Sequence, residues 1–363
     1  MRQAELQIGG KPTTPAADGP SSREEDASAG SCSWRPTPLS ALSLPRIPTE
    51  QHFVRDHFPP PAVDPATWSL ELQGRSQARI LDLEQLKRLA SRTLTVVLEC
   101  AGHRRAEFDP IPSGLPWGCG AVAEARWTGV SLATLLELVD VPRAAREVVL
   151  EGADAGRVDG FEGIHRFARS LPLAKAYDRD VLLAYEMNGA PLTVERGGPV
   201  RAIVPGWYAT DSVKWIERIW FTEREFGGVF QAHDYRLQAP GEPGPGRRMT
   251  VLPPHALITH PAEGDRRAGS RVSVRGVAWG GSGGIREVLL SADHGQWQAA
   301  TLAAAGQRFG LVHWEHQCTL SCGPHELACR AVDGAGQTQP ADPPANVRGY
   351  GNNAVHRVQF TVA

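Results

Sequence analysis

The sequence lacks several features that would place a protein in a class at once. It contains no apolar run long enough to span a bilayer, and residues near its start form neither a hydrophobic signal region nor a twin-arginine motif. The formal net charge of −2 gives no support for binding to nucleic acid or to a membrane surface. We therefore expect a cytoplasmic protein, or a periplasmic one if the start of the chain has been misassigned.

Cysteine patterns that would indicate common metal sites are also missing. None of the six cysteines has the paired spacing of a zinc ribbon, and no Cys-x-x-Cys-His motif for covalent haem is present. Cys318, Cys322 and Cys329 are close in sequence and could bind a metal, although such clusters more often fill a β-sheet core. The cysteines thus exclude the simplest zinc and haem proteins.

Length and composition predict two domains. A chain of 363 residues with 41% hydrophobic residues can form two cores, and 38 glycines with 29 prolines favour strands and loops over long helices. Residues 1–40 are rich in small, polar and charged residues, which predicts a disordered tail. A Pro/Gly-rich stretch over 238–248 predicts a linker, so we expect domains at 41–240 and 241–363.

The first predicted domain mixes helices and strands. Thr93–Leu98, Glu147–Gly152 and Val200–Pro205 have the composition of strands, and the spacing of apolar residues predicts a helix over Leu132–Val139. We expect an α+β domain whose site residues lie on loops.

The second predicted domain is all-β. Apolar and polar residues alternate in Arg271–Val277, Glu287–Ser291 and Arg357–Val362, and His325–Val332 is also strand-like. Turn-forming residues separate these four runs. Regular short strands over about 110 residues predict an immunoglobulin-like sandwich.

The segment 98–105, Leu-Glu-Cys-Ala-Gly-His-Arg-Arg, contains the strongest candidates for site residues. It places the Cys100 thiol at the end of an apolar strand, followed by Arg104 and Arg105. Two fixed guanidinium groups are expected to lower the pKa of the thiol, which would then bind a soft metal or act as a nucleophile. The same arginines could hold an oxyanion. Taken alone, the segment is equally compatible with a buried structural cysteine.

Several segments together resemble the sulfite oxidase family, whose members carry a molybdenum–pterin cofactor. Among them are Phe-Val-Arg-Asp-His, Cys-Ala-Gly-His-Arg-Arg, Leu-Leu-Ala-Tyr-Glu-Met-Asn-Gly, Gly-Pro-Val-Arg and Asn-Val-Arg-Gly, at 53–57, 100–105, 182–189, 198–201 and 346–349. Further matches lie at 114–117, 125–127, 204–207, 212–215, 234–235 and 353–358. The resemblance implies a mixed α+β cofactor domain followed by an immunoglobulin-like domain that forms a homodimer.

The resemblance also implies roles for individual residues. Cys100 matches the thiolate ligand of molybdenum. The positions that line the family's substrate pocket match Arg55, Arg105, Arg348, Tyr235 and Trp117. The positions that hold the pterin and its phosphate match Phe53, Arg55, His57, Asp154, Arg196, Arg201, Ser212, Val213 and Lys214.

Four positions depart from the family pattern. Arg196 stands where histidine is usual, His103 where asparagine is usual, and Phe167 where tyrosine is usual. Tyr350 is bulkier than the small aliphatic residue common at its position, so it could narrow the pocket or redirect specificity.

The implied activity is oxidation of sulfite to sulfate. The sequence shows no haem segment, so we expect electrons to pass to a separate cytochrome or to oxygen. Arg348 favours sulfite over nitrate, because the related nitrate reductases have an apolar residue at that position. Alternatives are a family member that acts on nitrate or another sulfur or nitrogen oxo substrate, and a binding protein with an inactive cofactor domain.

Overall fold

The computed structural model describes residues 34–303 and 308–363. Most of the predicted tail, including Cys32, lies outside these ranges. Within the tail's last residues, Trp34–Arg35 forms a strand that pairs with Val54–Arg55, and Trp34 packs edge-on against Trp117 at 5.1 Å. No helix of the described residues is both long and apolar enough to cross a membrane.

The first half of the described chain consists mostly of strands. These are β1 Trp34–Arg35, β2 Val54–Arg55, β3 Ser69–Gln73, β4 Ala78–Asp82, β5 Ser91–Glu99, β6 Val122–Ser131, β7 Glu147–Gly156, β8 His165–Pro172, β9 Leu182–Met187, β10 Ala190–Pro191, β11 Arg201–Ile203, β12 Ile216–Thr222 and β13 Arg236–Leu237. The α-helices are α1 Leu83–Lys87, α2 Leu132–Leu136, α3 Leu173–Ala176 and α4 Val229–Ala232. Single 3₁₀ turns span Leu39–Ser43, Thr49–Gln51, Arg105–Glu107, Val194–Arg196 and Ala209–Asp211.

The helical content is smaller than the predicted α+β mixture. The described α-helices have only four or five residues each, and the helix predicted over Leu132–Val139 ends at Leu136. It ends because the amides of Leu138 and Val139 bond to carbonyls three residues back, which tightens the chain into a turn. Periodicity located this helix correctly but overestimated its length.

Two five-stranded sheets organise the first half. One has the order β10-β9-β6-β5, with β11 also paired to β9, and the other has the order β4-β3-β12-β7-β8. Strands β5 and β6 pair antiparallel along their full length, so that Glu99 lies opposite Val122. The end of β5, where Cys100 follows, is therefore fixed by a long ladder of hydrogen bonds.

The second half of the described chain contains strands without α-helices. These are β14 Arg247–Arg248, β15 His255–His260, β16 Arg266–Arg267, β17 Arg271–Trp279, β18 Ile285–Ala292, β19 Gln298–Ala299, β20 Thr301–Leu302, β21 Val312–Thr319, β22 Gly323–Asp333 and β23 His356–Val362. They form sheets of order β15-β17-β21-β20 and β16-β23-β22-β18-β19, and β13 pairs with β14. All four strands predicted here are present, each one to three residues longer than the run that predicted it.

A shared core joins the two halves. Leu257, Val277 and Trp279 of β15 and β17 pack in one buried cluster with Leu98 and Cys100. The indole Nε1 of Trp279 donates a 2.7 Å hydrogen bond to Oε2 of Glu99, the last residue of β5. The second half thus helps to fix the strand end that carries the thiol.

Candidate functional site

Cys100 is held in a buried turn directly after β5. Its side chain is 7% exposed, and its amide donates to the carbonyl of Ala121 at 2.9 Å. The amide of His103 donates to the carbonyl of Cys100 at 2.9 Å, which closes the turn. These bonds fix the direction of the thiol before any ligand binds.

Burial raises the pKa of the Cys100 thiol. The nearby Arg55 and Arg105 act in the opposite direction but do not outweigh the loss of solvation. The prediction that the pKa of this thiol lies below its usual value was therefore wrong, because the sequence does not show how completely the thiol is buried. A coordinated metal cation would deprotonate such a thiol where the arginines alone do not.

Arg104 and Arg105 point to different surroundings. Arg104, at a positive φ of 58°, turns into the protein and pairs with Glu107 at 2.6 Å and with the carbonyl of Ala354 at 2.5 Å. Arg105 instead lies against the turn at Gly102 and donates to the carbonyl of Arg348 at 3.0 Å. Only one of the two arginines predicted to hold an anion is placed to do so.

An outer cavity brings together all five residues predicted to line the substrate pocket. Its lining includes Arg55, His57, Cys100, Arg105, Leu115, Trp117, Asp234, Tyr235, Arg348 and Tyr350. Arg348 comes from the second half of the chain, its side chain is 51% exposed, and its Nη1 pairs with Oδ1 of Asp234 at 2.7 Å. Asp234 therefore offsets part of the positive charge that the sequence predicted for this pocket.

Contacts at His57 determine where the proton of Tyr235 points. Nη2 of Arg55 lies 3.3 Å from Nδ1 of His57, and Nε2 of His57 is in hydrogen-bond contact with the hydroxyl of Tyr235. Burial, with Arg55 and Arg169 nearby, holds the pKa of His57 well below its usual value, so the ring is neutral. A guanidinium can only donate, so Nδ1 accepts and Nε2 carries the ring proton. The Tyr235 oxygen then accepts from His57, and its own proton is left to donate to another acceptor.

An inner cavity contains all nine residues predicted to bind the cofactor. Its lining includes Phe53, Arg55, His57, Cys100, Asp154, Arg196, Arg201, Ser212, Val213, Lys214 and Tyr235. Arg55, His57, Cys100 and Tyr235 line both cavities. The thiol therefore lies at the junction between a deep cavity and a pocket that leads outward.

Arg196, Arg201 and Lys214 bring positive charge to the inner cavity, and each is largely shielded from solvent. Burial lowers the pKa of Arg201 to about 9 and that of Lys214 to about 8, and it also lowers the pKa of Arg196. Arg196 donates to the carbonyls of His52 and Phe53 at 2.8 and 3.0 Å. Lys214 pairs with Asp56 and donates to the carbonyl of Glu195 at 2.9 Å. Such a group of cations is stabilised by a bound anion.

Asp154 has unused hydrogen-bonding capacity. It is 4% exposed, and its Oδ1 has no hydrogen-bond partner among the described residues. Burial raises the pKa of this carboxyl to about 7. A buried acceptor without a donor is costly, so the geometry suits a ligand that brings an N–H group.

Sequence reasoning missed several residues of the inner cavity. His52, Asp56, Glu195, Thr210 and Trp215 also line it. Asp56 could have been found, because it lies inside the matching segment at 53–57. No sequence pattern identified Glu195, which lines the cavity next to Arg196.

Among the described residues, no group of three or more His, Cys, Asp or Glu side chains could hold a metal ion. Cys318, Cys322 and Cys329 therefore form no such site with neighbouring ligands in these ranges. A metal at Cys100 would have to take most of its ligands from a non-protein group.

Two family models match the chain. The oxidoreductase molybdopterin binding domain matches residues 57–230, and the Mo-co oxidoreductase dimerisation domain matches residues 247–363. The chain therefore contains a molybdopterin-binding domain. The predicted linker over 238–248 overlaps the interval between the two matches.

Comparison with individual proteins agrees with these matches. The chain is 33% identical to mitochondrial sulfite oxidase of Drosophila melanogaster over 87% of this chain, but it spans only 59% of that relative. It is 31% identical to sulfite oxidase of Arabidopsis thaliana, with 88% of this chain and 90% of the relative covered. Among solved structures, the sulfane dehydrogenase SoxCD of Paracoccus pantotrophus matches with a TM-score of 0.79 and 26% identity over 92% of this chain and 85% of that one.

Proposed function

Because this chain belongs to the sulfite oxidase family, we propose that it is a molybdenum-dependent oxidoreductase that converts sulfite to sulfate. In this reaction sulfite and water give sulfate, two protons and two electrons, and the electrons pass to a separate acceptor, a cytochrome or oxygen. The observation that carries the proposal is the position of the Cys100 thiol where a buried cationic cavity meets an arginine-lined pocket.

The residues present fit a molybdenum–pterin cofactor. Cys100 offers one soft ligand, and the described residues contain no cluster of His, Cys, Asp and Glu side chains that could hold a metal by themselves. Asp154 offers an acceptor that lacks a partner among the described residues and could bind a pterin amine. The terminal phosphate would bind where cations and a hydroxyl gather: Arg196, Arg201, Ser212 and Lys214. When bound, the cofactor supplies the two-electron redox chemistry. Phe53 and Val213 would pack against it, as both are almost fully buried.

The outer pocket would bind sulfite through arginines and one phenol. Arg105 is the best-placed donor, because two carbonyls fix its Nε and Nη1, while Nη2 has no hydrogen-bond partner among the described residues. Arg55 and the partly neutralised Arg348 add positive charge. Tyr235, oriented by His57, would donate a hydrogen bond to an oxygen of the anion. Trp117, which is 1% exposed, would form a rigid wall.

The proposal also includes the domain boundaries and the oligomeric state. We assign the cofactor domain to 41–240 and an immunoglobulin-like sandwich to 241–363, since two sheets, antiparallel except for the pair β16–β23, enclose one apolar core there. The match to a dimerisation domain supports a homodimer formed by the second domain.

Replacing Asp154 with asparagine tests the inner cavity through the pH dependence of stability. In the folded protein the pKa of Asp154 is about 7, whereas in the unfolded chain it has its usual, lower value. The free energy of unfolding of the apoprotein therefore falls as pH rises from the unfolded pKa to the folded one. Asp154→Asn should remove this contribution. Thermal unfolding at pH 5 and pH 8 should show a smaller loss for the variant.

The same variant should hold the cofactor less well, because an amide presents one acceptor where the carboxylate presents two. Pterin content after purification should fall below that of the wild type. Equal pterin content together with an unchanged pH dependence would contradict the role of Asp154.

Replacing Arg348 with methionine should raise the KM for sulfite. One cationic partner of the anion is lost, while the exposed stem is preserved. We expect an increase of roughly tenfold in KM with a smaller change in kcat, because Asp234 already offsets part of the charge. Thermal unfolding should be little changed. An unaltered KM for sulfite would contradict a role of Arg348 in binding the anion.

Steady-state turnover separates the proposal from its alternatives. Wild-type protein loaded with cofactor should reduce ferricyanide with sulfite and show far lower turnover of nitrate. The similarity to a sulfane dehydrogenase makes another sulfur substrate the second candidate. Loaded protein that is inactive with sulfite but active with nitrate or a different sulfur compound would overturn the assignment of substrate.

A further inference from the structure

Tyr350 is a large aromatic residue of the outer pocket. It is 8% exposed and lines the pocket with Cys100, Arg105 and Tyr235. Its ring stacks on that of Tyr235, with centroids 5.4 Å apart and planes inclined by 22°. The guanidinium carbon of Arg105 lies 5.0 Å from the centroid of the Tyr350 ring. The phenol ring therefore contacts the two groups that would bind an anion.

The backbone of Tyr350 is held on both sides. Its amide donates to Oδ1 of Asn346 at 2.8 Å, and its carbonyl accepts from Nδ2 of the same residue at 2.8 Å. These two hydrogen bonds fix the backbone of Tyr350. Gly349 and Gly351 flank it with φ of 59° and 64°, a conformation that favours glycine. The amide of Gly351 donates to the carbonyl of Ala101, in the turn that follows Cys100.

These contacts make the ring a fixed wall. A β-carbon at Gly349 would lie 2.8 Å from Cγ of Pro112 and 3.1 Å from Cγ of Arg105. The backbone next to Tyr350 is therefore closely packed and cannot move towards Pro112. A ring packed between fixed neighbours moves only at a cost in contacts. A ligand larger than the space beside the ring would have to displace Tyr350 together with Arg105.

On the basis of the proposed function, we propose that Tyr350 is a specificity-determining residue that restricts the pocket to small inorganic oxyanions. On this proposal the ring leaves room for sulfite, whereas the carbon group that replaces one oxygen in a sulfinate would meet the ring. The ring also packs against the guanidinium of Arg105, whose Nε donates to the carbonyl of Arg348. The wall acts through shape, so the hydroxyl of Tyr350 is not required.

Kinetics with sulfite and methanesulfinate test this wall. Methanesulfinate and water give methanesulfonate, two protons and two electrons, so both substrates can reduce two equivalents of ferricyanide. In wild-type holoenzyme we expect sulfite to be strongly preferred in kcat/KM. Tyr350→Val should raise kcat/KM for methanesulfinate at least roughly tenfold and should raise the KM for sulfite, because the pocket widens and Arg105 loosens.

Two further variants isolate the effect of the ring. Tyr350→Phe keeps the wall, so the ratio of the two kcat/KM values should stay within about threefold of the wild-type ratio. Tyr177→Val, a change of the same type at a tyrosine that is 45% exposed, should alter neither substrate. If Tyr350→Val loses molybdenum, Tyr350→Leu provides the same comparison with more of the volume retained.

The outcomes separate this inference from the proposed function. Loaded wild-type enzyme that is inactive with sulfite would overturn the proposed function. Active wild-type enzyme whose selectivity is unchanged in the valine and leucine variants would overturn the role of Tyr350 alone. A loss of selectivity in Tyr350→Phe as large as in Tyr350→Val would assign the discrimination to the hydroxyl and contradict a wall.

Discussion

The Cys100→Ser variant is expected to lose sulfite oxidation while keeping its fold. The thiol and the hydroxyl are similar in size, and the turn around Cys100 is fixed by backbone bonds that the substitution preserves. A serine hydroxyl is a hard, weakly acidic ligand that cannot replace a soft thiolate on a redox metal. We expect kcat to fall roughly a thousandfold or more, equivalent to about 4 kcal/mol in activation free energy.

Steady-state assays with sulfite and ferricyanide, normalised to pterin content, measure this loss. Cys322→Ser is the matched control, since Cys322 is exposed and does not line either cavity. The control should behave as wild type. A serine variant of Cys100 with undiminished kcat would show that the thiol is not a ligand.

The second large effect is expected from Arg105→Met. The substitution keeps a long apolar stem but removes a guanidinium that is 6% exposed and aimed at the pocket. We expect kcat/KM for sulfite to fall roughly a hundredfold, because the anion loses a charge-assisted donor in a site shielded from water. Arg105→Lys should recover only part of the loss, since an ammonium group does not reproduce the planar fork.

The control for this prediction is an exposed arginine elsewhere. Arg79 lies on β4, away from both cavities, so Arg79→Met should leave the kinetics unchanged. If Arg105→Met retained wild-type kcat/KM while Arg348→Met did not, the main anion contact would lie with Arg348 instead.

The strands were the most predictable part of the fold. The alternation in Arg271–Val277 predicted β17, because one face of that strand is buried in a core. Successive side chains of a strand point to opposite faces, so every second residue is apolar. The length of α2 was not predictable in the same way. Its end depends on a local change to three-residue hydrogen bonds, which apolar spacing does not encode.

The sequence predicted many of the residues that line the two cavities, but it did not predict the electrostatics there. Matching segments identified Arg55, Arg105 and Tyr235, which line one cavity as expected. The sequence could not show that a positive φ at Arg104 sends that side chain into the protein, nor that burial outweighs two arginines at the thiol. Both depend on three-dimensional surroundings that adjacent residues do not determine.

Contacts between the halves of the chain were also hidden. The pair of Arg348 with Asp234 and the bond of Trp279 to Glu99 join residues more than a hundred positions apart. Each changes what the site can do: the first reduces the positive charge of the pocket, and the second fixes the strand end before Cys100. No local pattern in the sequence indicates either contact.

X-ray absorption at the molybdenum edge of the purified holoenzyme tests the central claim most directly, with wild type and Cys100→Ser measured side by side. The account predicts molybdenum in both proteins and one sulfur neighbour fewer around the metal in the serine variant. An equal number of sulfur neighbours in the two proteins, or wild-type protein that carries no molybdenum after expression with the cofactor available, would contradict it.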